Sequence, residues 1–312
     1  MNTEHIPTPK PPKAYVTSTL CIVMIVVWVL ELIFPQLLPR FAFVPAIGIF
    51  EPWRFLTAAF LHSIPMPFHL AFNCWALWVV GRALEPVLGR LRLLGAFVIC
   101  AIGAMLAQCL VSLINPQAWV TLTVGASGAV FGFFGIVLAI QRVLRLPWSE
   151  MAALIGINFI LGFFLPNVAW VAHLGGLLVG LVIGAYTGWS LRQAQFVTVP
   201  ITPENSGDSE QSDSSPSKPG FGQYLPSESD LPEPSEDLPN NPSSTDATIR
   251  PSSRASSETN GSAVLLQRVV TPKEIARDVA VYLGLFAILV GCNWLFYHFN
   301  YEAIYAILQL SA

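Results

Sequence analysis

Seven apolar stretches, each about as long as a membrane is thick, constrain this chain more than any other feature. A helix that crosses a bilayer needs about 20 predominantly apolar residues. The sequence offers such runs at residues 15–34, 66–83, 93–115, 119–140, 151–165, 167–189 and 279–299. Six are clustered and the last stands apart. The fifth is short, which calls for local thinning of the bilayer, little tilt, or shielding by neighbours. Only 11% of the residues are charged, against about a quarter in soluble domains. The expected class is an all-α membrane protein.

Lys and Arg set the expected orientation, because they collect on the cytoplasmic side. With the N-terminus inside, only Arg40 and Arg54 of the 16 Lys and Arg residues lie outside. The first run is long and is followed by Pro35-Gln-Leu-Leu-Pro-Arg40 rather than a small-residue cleavage site, so it is expected to be a retained anchor. Between the sixth and seventh runs, residues 197–262 are rich in Ser, Pro, Asn and acid. That composition buries too little apolar surface to fold and predicts a disordered cytoplasmic linker spanning roughly 45 Å. The expected organisation is a tail at 1–14, a six-helix domain at 15–195, the linker at 196–265 and a seventh helix within 266–312.

Several functions are disfavoured at once. No basic patch with interleaved aromatics points to nucleic acid. The five cysteines all fall in apolar runs without a CxxC pair, so neither a disulfide framework nor a metal site is expected. No cofactor is called for.

Ionisable and strongly polar side chains are expensive inside a bilayer, so each is a functional candidate by default. The candidates are Glu31, His69, Asn73, Asn115, Ser127, Asn158, His173, Asn293 and His298. In the chosen orientation the second, fourth and sixth runs all start outside. His69, Ser127 and His173 then lie roughly 5, 12 and 9 Å deep, at 1.5 Å per helical residue. Asn73 sits one turn below His69 on the same face. Glu31 and Asn158 have no evident partner and read as structural; His298 reads as an interfacial residue.

Ser127 stands among small residues in Gly125-Ala-Ser-Gly-Ala-Val-Phe-Gly132, and the sixth run repeats glycine at 176, 180, 184 and 188. Such stripes let helix backbones approach closely. Packed through them, Ser127 and His173 face each other, with the hydroxyl and a ring nitrogen roughly 2.6–3.2 Å apart, and the serine is an activated nucleophile. Taken singly, the serine reads as packing, the histidine as structural and the glycines as tight contact; their matched depth is what favours chemistry.

These motifs resemble the rhomboid family of intramembrane serine proteases. Gly125-Ala-Ser-Gly-Ala-Val-Phe-Gly132 resembles its nucleophile segment, and Ala172-His-Leu-Gly-Gly-Leu-Leu-Val-Gly180 resembles its general-base segment. Trp53-Arg54 with the residues up to His62, His69-Leu-Ala-Phe-Asn73, and Gly81-Arg-Ala-Leu-Glu85 resemble three further elements in the family's order. The resemblance covers roughly residues 15–190. It implies a six-helix transmembrane bundle, here with one additional C-terminal transmembrane helix, lying in a cell membrane with a wet cavity open to the outer face. It implies Ser127 as nucleophile, His173 as general base and acid, and an oxyanion site built from His69, Asn73 and the Ser127 backbone N–H. Gly125, Gly128, Phe131, Gly176, Gly180, Trp53 and Arg54 are the supporting positions, with no metal. The implied partners are single-span transmembrane substrates and the lipid bilayer.

Three departures stand out. The interval from His62 to His69 holds Pro65 and Pro67 and is longer than usual, Phe131 replaces a Tyr found in some relatives, and the linker is long. A non-catalytic, client-binding relative is the alternative, which the presence of both Ser127 and His173 disfavours. A transporter is disfavoured by a polar cluster confined to one side and by the lack of repeat symmetry.

Overall fold

The computed structural model describes residues 13–48, 50–164, 168–194, 196–200, 264–268 and 271–310. Most of the expected 1–14 tail and most of the linker lie outside them. The described residues form two units, one of residues 1–194 with 270–312 and one of residues 195–269.

The first unit is helical: α1 Tyr15–Ile33, α2 Leu37–Phe41, α3 Arg54–Thr57, α4 Pro67–Leu88, α5 Arg90–Ser112, α6 Ser127–Leu144, α7 Ser149–Phe164, α8 Trp170–Arg192, α9 Pro272–Phe299 and α10 Tyr301–Leu310. Among the described residues, α1, α5, α6, α8 and α9 are long and apolar enough to cross a membrane. The α4 helix has the length, 22 residues, but His69, Asn73, Arg82 and Glu85 dilute its apolar run. The 16-residue α7 is only about 24 Å long.

Of the expected runs, the fourth differs most. Residues 116–120 form a 3-10 turn capped by Asn115, and the following segment is not helical. Thr123 pairs with Phe43 through both backbone groups, at 3.0 and 2.8 Å, and Gly125 has φ +117°, a conformation open to glycine but not to a helix. The helix therefore begins at Ser127, and the earlier depth estimate for that residue, built on eight helical residues before it, does not hold. The seventh helix is longer than its apolar run. It starts at Pro272 behind a Thr271–Glu274 capping box, a device that satisfies two free backbone donors.

In the core, α8 packs on α6 through glycine. A Cβ on Gly176 would stand 1.9 Å from the Gly128 carbonyl oxygen, and one on Gly180 would stand 1.9 Å from that of Gly132. On α6 itself, a Cβ on Gly128 would meet Ala104 of α5 at 2.4 Å. Elsewhere, polar clasps fix the helices. Glu85 accepts from the Val16 and Thr17 N–H groups, both at 2.9 Å, and from the Thr17 hydroxyl at 2.8 Å, capping the start of α1.

The α9 helix is fastened at both ends. At one, buried Asp278 pairs with Arg92 of α5 and accepts from Tyr186 of α8, while Arg277 donates to the Ser190 hydroxyl at 2.9 Å. At the other, the Tyr297 hydroxyl donates to the Pro45 carbonyl at 2.6 Å.

In the second unit, β1 Phe196–Pro200 pairs antiparallel with β2 Val264–Arg268, Phe196 facing Arg268 in the register. The residues at 197–200, expected to be structureless, are thus a strand.

Candidate active site

Three helices, α4, α6 and α8, begin at the same end of the bundle, and their first turns carry His69, Ser127 and His173. The glycine contact fixes the spacing. With no Cβ between the backbones, the side chains that start α6 and α8 meet directly. His173 Nε2 lies 2.8 Å from Ser127 Oγ.

The His173 ring is buried, and it stacks flat on Phe131, with centroids 4.4 Å apart and planes 7° apart. Phe131 lies one turn after Ser127 on α6, so the helix bearing the hydroxyl also holds the plane of the imidazole. Its other nitrogen, Nδ1, has no hydrogen-bond partner among the described residues. When Nε2 accepts from the serine, the proton sits on Nδ1. Ser127 itself is half-buried.

The segment before Ser127 is tied down on every side. Gly125 donates to the Ala58 carbonyl at 2.8 Å, and the Ala126 N–H donates to His62 Nε2 at 3.4 Å. A backbone N–H can only donate, so His62 carries its own proton on Nδ1, which faces the Phe60 carbonyl at 3.3 Å. Burial, reinforced by the nearby His69 ring, pushes His62 down to about 4.

His69 leans over Gly125. A Cβ there would fall 2.9 Å from His69 Nε2 and 3.9 Å from Ser127 Oγ, so the glycine leaves open the ground between ring and hydroxyl. Asn73 Nδ2 donates to the His69 carbonyl at 2.9 Å, which engages one of its two N–H groups. The first N–H groups of α6, starting with Ser127, have no intrahelical partner.

The structure thus gathers Ser127, His173, His69, Gly125, Gly128, Phe131, Gly176 and Gly180 into one neighbourhood. Trp53 and Arg54 act elsewhere. Trp53 is exposed, while buried Arg54 pairs with Glu51 and donates to the Pro39 and Ala42 carbonyls at 2.9 and 2.6 Å, organising the loop after α1. Asn158 bonds back to the Leu154 carbonyl at 2.8 Å, and His298 stacks on Trp294. Glu31, expected to lack a partner, accepts from the His62 N–H at 3.1 Å. Sequence reasoning missed this support, because a side chain that accepts from a distant main chain leaves no residue pattern.

Residues 50–190 match the rhomboid domain. The chain is 36% identical over 143 residues to rhomboid protease GluP of Bacillus subtilis, covering 44% of this chain and 26% of that one. It is 32% identical over 155 residues to rhomboid protease AarA of Providencia stuartii, covering 42% and 54%. It is 32% identical over 144 residues to RHOMBOID-like protein 5 of Arabidopsis thaliana, covering 43% of each. The chain therefore spans between a quarter and about half the length of these relatives.

Proposed function

Because this chain belongs to the rhomboid family, we propose that it is an intramembrane serine endopeptidase that cuts transmembrane proteins through a Ser127–His173 dyad. The observation that carries this reading is the 2.8 Å contact between Ser127 Oγ and His173 Nε2. The relatives named as proteases support the reaction class.

The chemistry follows from the geometry. Ser127 Oγ attacks the scissile carbonyl carbon and its proton passes to His173 Nε2. The imidazolium so formed is favoured by the face of Phe131 beneath it. Charge gathers on the former carbonyl oxygen, which the N–H groups opening α6 stabilise, aided by the helix dipole. The His69 ring and the second Asn73 N–H complete the set. His173 then gives its proton to the leaving amine, and the C–N bond breaks. Water, deprotonated by the same nitrogen, hydrolyses the acyl ester and frees Ser127.

By the distribution of Lys and Arg the site opens to the outer face, with the N-terminus and the linker in the cytoplasm. A helical substrate hides its amides in internal hydrogen bonds, so single-span segments with small, helix-weakening residues near the outer boundary suit the site. Entry beside α7 suits the fold, since only Ile155 and Gly162 of that helix are buried.

The test uses the full chain in detergent with a fluorogenic transmembrane substrate. Wild type is expected to cleave, and Ser127→Ala and His173→Ala to lose cleavage by at least about 1,000-fold. Equal cleavage by all three would refute the dyad.

A further inference from the structure

We propose that Glu31 is a positioning residue for Ser127, acting through His62; this rests on the protease reading above. Glu31 lies near the end of α1 and is fully buried, at 0% exposure. A buried carboxyl in an otherwise apolar helix is unfavourable unless it is bonded. One of its oxygens, Oε2, accepts from the His62 backbone N–H at 3.1 Å. The other, Oε1, has no partner among the described residues.

His62 carries the connection onward. It too is fully buried, and its ring accepts from the Ala126 N–H. Ala126 is the residue immediately before Ser127, at the cap of α6. Two hydrogen bonds therefore run from α1, through the loop before α4, to the backbone beside the nucleophile. The same loop holds Gly125 through the Ala58 carbonyl, so residues 58–62 grip the approach to Ser127 at two points. Glu31 fixes one end of that grip. The distance from Ser127 to the scissile carbon depends on where this segment sits, and a displacement of about 1 Å at a reacting centre is enough to slow catalysis severely.

This role depends on where an acceptor oxygen stands, not on charge. Glu31→Gln keeps an oxygen in the Oε2 position. Glu31→Asp keeps the acid but withdraws it by one methylene, roughly 1.5 Å. Steady-state cleavage of a fluorogenic single-span substrate by the full chain in detergent distinguishes the two. Glu31→Asp is expected to lower kcat roughly 10-fold with KM unchanged within about 2-fold, and Glu31→Gln to stay within about 2-fold of wild type in both. Wild-type kcat in Glu31→Asp, a change in KM alone, or an equal loss in both variants would overturn the proposal. Ser127→Ala in the same assay separates the two layers: its inactivity leaves the protease reading standing whatever Glu31 does, whereas its activity would remove that reading itself.

Discussion

Gly176 and Gly128 touch backbone to backbone: a β-carbon on Gly176 would stand 1.9 Å from the Gly128 carbonyl oxygen. Side-chain rearrangement cannot relieve that overlap, because the atom in the way is main chain. Gly176→Ala is therefore expected to push α8 off α6 and destabilise the protein by about 3 kcal/mol or more. Thermal unfolding in detergent measures it, and cleavage should fall with it, since the same contact sets the Ser127–His173 distance.

Gly125 has two reasons to be glycine. Its φ of +117° is strained for any other residue, and a methyl group would enter the space between His69 and Ser127. Gly125→Ala is expected to lower kcat by about 100-fold or more. Kinetics on folded protein, isolated by size exclusion, provide the check.

His62 predicts an acid limit. Its folded-state value, about 4, lies below the ordinary 6.5, so the unfolded chain binds the proton first. The stability this contributes is complete above pH 6.5 and is lost as pH falls from there toward 4. Protonation also turns Nε2 into a donor and breaks its bond from Ala126. The unfolding temperature should drop between pH 6.5 and 4, and His62→Gln should flatten that slope.

The docking of α9 gives a fourth test. Asp278 is 4% exposed, pairs with half-buried Arg92 and accepts from Tyr186, and removing it takes the partner from both at once. Asp278→Ala is expected to cost about 3 kcal/mol, against about 1 kcal/mol for Tyr297→Phe, which loses the hydrogen bond to the Pro45 carbonyl and the weak contact with the Cys109 thiol. Thermal melts of both variants compare them.

Much of the site was legible in sequence because its determinants are local and periodic. Glycine at every fourth residue of the sixth run marks one face of a helix, and a polar side chain in an apolar run is conspicuous. Phe131, one turn from Ser127, was readable on the same ground.

What sequence hid was non-local. Residues 119–126 are apolar enough to pass as helix, yet the Thr123–Phe43 pairing and the Gly125 backbone take them out of it. Glu31 read as partnerless because its partner is the main chain of a residue 31 positions away. The ten-residue α10 was missed because it is too short to register as a span.

The most direct measurement is covalent labelling of the full chain with a serine-reactive phosphonate, with the modified residue located by mass spectrometry. The label is expected on Ser127 and should vanish or slow by orders of magnitude in His173→Ala, which lacks the base. A label on some other serine, or equal labelling of Ser127 without His173, would contradict the dyad.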